Sequence, residues 1–136
     1  AGGRASISVE KVAINFVDAR IPDNAGFQPV DQPVVPGGPA AYFATLPVRR
    51  MAEAIEKAGL PAQISNTAGT YVCNCLLYTL LHTAAGEYPG MPGGFIHVPY
   101  ALEQLPGKPE GTPGLALQQI AQGLSCAIEA IAEAWT

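Results

Sequence analysis

Apolar and polar positions along the chain change period several times, and each change marks an element. Residues 6–16 (SISVEKVAINF) alternate with a period of two, Ile7, Val9, Lys11 and Ala13 on one side and Ser8, Glu10, Val12 and Ile14 on the other, which predicts a strand. Residues 47–58 switch to helical spacing. There Val48, Met51, Ile55 and Ala58 form a stripe, Arg49, Glu53, Glu56 and Lys57 lie mostly outside it, Thr45 can cap the helix and Gly59 stops it. Residues 61–66 (PAQISN) read as a short strand. From Cys73 onward Leu76, Leu77, Leu80 and Ala84 recur at helical steps, so the thiol begins an apolar stripe. Residues 94–100 (GFIHVPY) form a compact apolar strand. Residues 113–136 make the longest helix, with Leu115, Leu117, Ile120, Leu124, Ala127, Ile128, Ile131 and Trp135 as its stripe and Glu129 and Glu133 outside. Helices alternating with strands predict an α/β fold.

Between these elements lie loops rich in proline and glycine. Residues 18–38 sustain neither period and form a long ordered loop, in which residues 21–26 (IPDNAG) have turn chemistry. Loops of this length in a compact domain are usually functional or mobile. Tyr42 and Phe43 follow it and are expected to pack it back on the core. Residues 85–94, around Tyr88 and Met91, and residues 102–112 are further loops.

Composition narrows the function classes. With 136 residues, 49% hydrophobic and 13% charged, the chain can bury a core as one globular domain. A net charge of -4 with seven scattered Lys and Arg provides no basic stripe for a phosphate backbone or a lipid surface, which argues against nucleic-acid and membrane partners. No apolar run reaches a spanning length, and the opening AGGRASISVEKVAINF lacks the pattern of a secretory signal. The three cysteines are an odd number, and Cys73 and Cys75 diverge on a helix, so a reducing, cytoplasmic setting fits better than a disulfide framework. The opening on Ala1, without methionine, leads us to expect further residues upstream.

Candidate chemistry centres on residues 65–82 (SNTAGTYVCNCLLYTLLH). A turn of small residues leads into the helix with Cys73 at the junction, where unpaired amides and the positive end of the helix dipole stabilise a thiolate and the oxyanion its attack creates. On the residues alone, a buried structural cysteine is the commoner outcome. His97 stands alone on an apolar strand, where a histidine is more often structural, yet it lies near the strand end at which open α/β sheets carry their chemistry. Glu10 shares a face with Val12 and Ile14; such a carboxylate needs a partner, or more commonly sits at a strand end and points to water. A thiol, an imidazole and a carboxylate are the ingredients of a Cys-His-acid triad. His82 is the rival base, but it lies about half a helical turn round from Cys73 and cannot reach it, leaving His97. Cys126 neighbours the last stripe and is expected to be inert, or to cross-link subunits. Two other readings stay open. One is an inactive binding or structural remnant, which predicts damage at Cys73, His97 or Glu10. The other is a metal site of Cys73, Cys75, His82 or Cys126, whose C-x-C spacing lacks a second pair of ligands.

The motifs SNTAGTYVCN, GFIHVPY followed by Glu103 and Gln104, ARIPDN, and AGGR with VEKVAIN closely resemble the pyroglutamyl peptidase I (pyrrolidone-carboxylate peptidase) family, nearly end to end. The resemblance implies a cytoplasmic cysteine peptidase that removes an N-terminal pyroglutamyl residue from peptides, with no metal or cofactor. It implies a three-layer α/β/α architecture with a twisted mixed sheet, similar to phosphorylases and hydrolases, and assembly as a dimer or tetramer. By position, Cys73 matches the nucleophile, His97 the base and Glu10 the third triad member. Ile21 and Val72 match residues lining the pyrrolidone pocket, and Arg20 falls near the scissile carbonyl. The family carries a segment ahead of AGGR with a first strand, a TGFxPFGG-like loop and a glutamine that binds the lactam. The chain is therefore expected to be a single catalytic domain, residues 1–136, lacking those N-terminal parts.

Overall fold

The alternating segment at residues 6–16 does not form one strand. In the computed structural model, which describes residues 3–136, it divides into β1 (Ile7–Glu10) and β2 (Val12–Ile14). The division falls at Lys11, whose N–H donates to the Ser65 carbonyl at 2.8 Å and whose carbonyl accepts from Ala44 N–H at 2.9 Å. β1 belongs to a three-stranded sheet of order β4-β1-β5, with β4 at Ala62–Ser65 and β5 at Phe95–His97, whereas β2 pairs antiparallel with β3 (Ala41–Phe43). A change of pairing partner ends a strand even where the alternation continues. All four residues of β1 are buried, so here the alternation does not separate an inside from a solvent face.

By its contacts the chain divides into two units, the first comprising residues up to Val9, Leu46–Ile64 and Ile96–Thr136. Its core is Ile7, Val9, Met51, Ala52, Ile55, Leu60, Ala127 and Ala130. Helix α1 (Val48–Lys57) packs on the last helix, α3 (Leu117–Ala134). Thr45 does not cap α1; Pro47 holds that position, and Thr45 instead exchanges hydrogen bonds with Gly93. Gly59 does terminate the helix, at φ +81° with its N–H on the Glu56 carbonyl. The short strands β6 (Tyr100–Ala101) and β7 (Gly114–Leu115) pair in parallel, so α3 starts at Leu117 and not at residue 113.

The apolar stripe expected along α3 separates into two. The buried face is Ile120, Gly123, Ala127 and Ala130, while Leu117, Ile128 and Trp135 are exposed. Gly123 is what allows the helix to approach the sheet, because a Cβ there would collide with Cδ1 of the fully buried Ile7. Gly123→Ala is therefore expected to lower stability by about 1–2 kcal/mol in urea unfolding, the overpacking outweighing the gain of about 1 kcal/mol from helix propensity.

The second unit comprises Glu10–Thr45 and Ser65–Phe95. Helix α2 (Val72–Glu87) supplies Leu77, Tyr78 and Leu81 to a core shared with Ala13 and Ala68. The long loop has no regular structure beyond a bridge between Val17 and Gln32, yet it is tied down. Asn15 receives the Val35 N–H at 2.9 Å and donates to the Val35 carbonyl at 2.8 Å, and the Tyr78 hydroxyl donates to the Pro39 carbonyl at 2.6 Å. Asp23 Oδ1 accepts from Ala25 and Phe27 N–H, closing the turn read from the sequence. Tyr42 packs against Tyr78 as expected, but Phe43 is 69% exposed, because successive residues of β3 point to opposite faces. No helix among the described residues is long and apolar enough to cross a membrane.

Candidate active site

Cys73 is the second residue of α2, and its thiol is neither fully buried nor fully exposed. The first α2 amide with an intrahelical partner is Cys75, which donates to the Tyr71 carbonyl at 2.9 Å. The amides of Val72, Cys73 and Asn74 have none within the helix, so an oxyanion formed beside the thiol would meet unspent donors. The turn that delivers the helix is ordered by its small polar residues. Ser65 Oγ donates to the Thr67 carbonyl at 2.9 Å, Gly69 N–H donates to Thr67 Oγ1 at 3.1 Å, and Gly69 has φ +83°. Thr70 then clamps the start of the long loop: its hydroxyl donates to the Asp18 carbonyl at 3.0 Å, and its carbonyl accepts from Asp18 N–H at 2.7 Å.

The buried face of α2 begins at Asn74 and continues through Leu77, Tyr78, Leu81 and Ala84; of the expected stripe of Cys73, Leu76, Leu77, Leu80 and Ala84, Leu77 and Ala84 are buried, Cys73 is half-buried, and Leu76 and Leu80 are exposed. Leu76 is 58% exposed. The cause is Asn74, whose 1% exposed amide accepts from Ile14 N–H at 2.9 Å and donates to the Ile14 and Phe16 carbonyls at 2.9 and 3.0 Å. Sequence reasoning gave this residue no role, although it was legible as a polar position in phase with Leu77, Tyr78 and Leu81. Cys73 consequently sits at the edge of the buried face.

Glu10 closes β1 and is 0% exposed, which overturns the expectation of a carboxylate facing water at a strand end. His97 closes β5 at 6% exposure. Burying either group is costly without a partner, and both interact with other groups. Glu10 and Cys73 fall in the second unit and His97 in the first. His82 is committed elsewhere: its Nδ1 lies 2.8 Å from the Tyr42 hydroxyl, and its ring stacks on Tyr78. Arg20 and Ile21 are exposed on the long loop, Ile21 at 65%, and Val72 is 58% exposed.

Tyr71, Val72, Cys75, Leu76 and the loop residues Val17 and Phe27 line part of an apolar cavity of about 650 Å³, of which neither Cys73 nor Ile21 is part. Burial pushes the Cys75 thiol above its ordinary value of 9.0, against a smaller opposing backbone hydrogen bond. Burial likewise pushes the Tyr78 hydroxyl above 10.0, with a contribution from Tyr42. Both groups hold their protons more tightly folded than unfolded, so stability is undiminished below these ordinary values and falls as the pH rises past them. Melting temperature is expected to fall from about pH 9 upward, and Cys75→Ala to remove the onset while leaving the later fall that belongs to Tyr78. Among the described residues, no group of three or more His, Cys, Asp or Glu could hold a metal ion.

A family model described as pyroglutamyl peptidase matches residues 1–134. The chain is 55% identical over 131 residues to a pyrrolidone-carboxylate peptidase of Levilactobacillus brevis, covering 96% of this chain and 64% of that protein. It is 56% identical over 133 residues to one of Streptomyces coelicolor, covering 97% and 60%. Among solved structures, it superposes on the pyroglutamyl peptidase I from Bacillus amyloliquefaciens with a TM-score of 0.92 at 48% identity, covering 97% of this chain and 62% of that one. A mutant pyrrolidone carboxyl peptidase from Pyrococcus furiosus gives a TM-score of 0.93 at 42% identity, covering 100% and 67%. The chain thus spans about three fifths of the length of these curated relatives.

Proposed function

Since the chain belongs to the pyroglutamyl peptidase family and has its α/β fold, we propose that it acts as a single catalytic domain of a cysteine exopeptidase releasing N-terminal pyroglutamate from peptides. The observation that carries this reading is the half-buried Cys73 in the first turn of α2, beside amides with no helical partner. Cys73 is the nucleophile, His97 its base and Glu10 the carboxylate that orients the imidazole. The thiolate attacks the pyroglutamyl carbonyl, forming the C–S bond, while the helix-start amides hold the oxyanion. Collapse breaks the C–N bond, and the imidazolium of His97 gives its proton to the departing amine. Water, deprotonated by His97, then cleaves the thioester, releasing pyroglutamate and the thiol.

Ile21 and Val72 contact the pyrrolidone ring, and Arg20 lies near the scissile carbonyl. Exposed side chains at these positions are consistent with a surface that closes on a ligand. The lactam has no free amine, so a neutral pocket suits it, where an aminopeptidase needs an acidic one. These steps use no metal or cofactor. We place the enzyme in the cytoplasm, as a homo-oligomer.

The test compares two amides, pyroglutamyl and glutamyl 7-amino-4-methylcoumarin, the second having the lactam opened to an ammonium and a carboxylate. Preference for the pyroglutamyl amide by about 100-fold or more in kcat/KM is expected, since a site built around a neutral lactam leaves an ammonium unpaired. Equal turnover, or preference for the free amine, would sink the proposal.

A further inference from the structure

Two of the proposed substrate contacts lie on a loop whose side chains do not fix their own position. Ile21 is 65% exposed and Arg20 is also exposed, so where they stand is decided by the backbone beneath them. That backbone is one leg of a hairpin. Val17 and Gln32 form a bridge, Ala19 N–H donates to the Pro29 carbonyl at 2.8 Å, and Asp23 N–H donates to the Phe27 carbonyl at 2.9 Å. Val17 and Ala19 thus spend hydrogen bonds on the returning leg, and Asp18 between them, facing the other way, meets Thr70. We propose that Thr70 is a positioning residue for the peptidase reaction, its hydroxyl holding the leg that carries Arg20 and Ile21 in register with Cys73. The proposal rests on the function proposed above and adds to it the link between the ring contacts and the thiol.

The link is a pair of bonds. Thr70 Oγ1 donates to the Asp18 carbonyl at 3.0 Å, and the Thr70 carbonyl accepts from Asp18 N–H at 2.7 Å, so one residue fixes both backbone groups of Asp18. Thr70 stands three residues before Cys73 and Asp18 three before Ile21, and Val72, the other ring contact, lies between Thr70 and the thiol. All of them belong to the second unit. The returning leg is anchored separately, at Val35 and Gly38 by Asn15 and at Pro39 by Tyr78. With that foot fixed, Thr70 sets where the outgoing leg meets the start of α2. Of its two bonds, only the hydroxyl's depends on the side chain. Serine would supply it as threonine does; valine, which has the shape of threonine, would not. Loss of the hydroxyl leaves the half-buried Asp18 carbonyl short of a donor and lets the leg shift, while the amides at the helix start stay where α2 puts them.

Steady-state kinetics on a pyroglutamyl amide separate this role from a merely structural one. Ile21 holds the ring in the ground state and the transition state alike, so displacing it should weaken binding without slowing the chemistry. Thr70→Val is expected to raise KM by roughly 5- to 10-fold with kcat within about 2-fold of the parent, and Thr70→Ser to bring KM back to within about 2-fold. A fold loosened as a whole would lower kcat as well. An unchanged KM in Thr70→Val would overturn the proposal, as would a fall in kcat alone. So would a Thr70→Ser variant no better than Thr70→Val, since the hydroxyl would then not be the operative group. If the parent shows no preference for the pyroglutamyl over the glutamyl amide, the functional reading and the role of Thr70 fall together. Preference in the parent, with Thr70→Val indistinguishable from it, sinks the role of Thr70 alone.

Discussion

Cys73→Ala is expected to lower turnover of a pyroglutamyl amide by about 10⁴-fold or more, because the reaction loses its covalent intermediate along with the base's proton donor. The melting temperature should stay close to that of the parent. Cys73 sits at the edge of the buried face of α2, so trimming its side chain removes little packing. That separation makes the result informative. A comparable loss of activity with a large drop in stability would point to a structural thiol, and retained activity would remove Cys73 from the mechanism. Cys126→Ala serves as the control, since Cys126 lies on α3 in a groove with Ala54, Lys57 and Ala58. It should retain most of the activity.

The second large effect is expected at Asn74. Its side chain satisfies the N–H and carbonyl of Ile14 and the carbonyl of Phe16, all within 3.0 Å. Asn74→Ala strands these backbone groups, and since an unsatisfied buried partner costs about 1–3 kcal/mol, a total loss of roughly 3 kcal/mol is expected in chemical denaturation. Asn74→Leu should be at least as damaging, because an apolar side chain of similar size satisfies none of the three. A loss under about 1 kcal/mol would mean that the β2 backbone finds other partners. Asn74 directly follows Cys73, so its loss should also reduce kcat among molecules that remain folded, by loosening the turn of α2 that presents the thiol.

How far the sequence carried the reading can be judged at particular residues. Turn chemistry was legible at Asp23, Gly59 and Gly69, because a positive φ or an Asx turn is a local demand that a local residue meets. The candidate nucleophile was legible because its turn, its helix start and its thiol are contiguous. The existence and order of α1, β4, α2, β5 and α3 followed from hydrophobic period. Errors arose where a remote partner decided the outcome. Thr45 was an acceptable cap by composition, but its hydroxyl pairs with Gly93, far away in the chain. Residues 6–16 had the alternation of one strand, but two different sets of partners divide it at Lys11.

By itself, then, the sequence determined the α/β class, the order of α1, β4, α2, β5 and α3, the turn that delivers Cys73, and the motifs that identify the family. These depend on period, on backbone preference and on contiguous residue types, all of which are local. Only the tertiary structure decided that Glu10 is buried and does not face water, that Asn74 sets the phase of α2, and that α3 divides its apolar residues between an inner face and an exposed row. Periodicity states which residues share a face, but burial depends on what packs there. A glycine at 123 admits Ile7 and draws one face of α3 into the core, leaving Leu117, Ile128 and Trp135 outside.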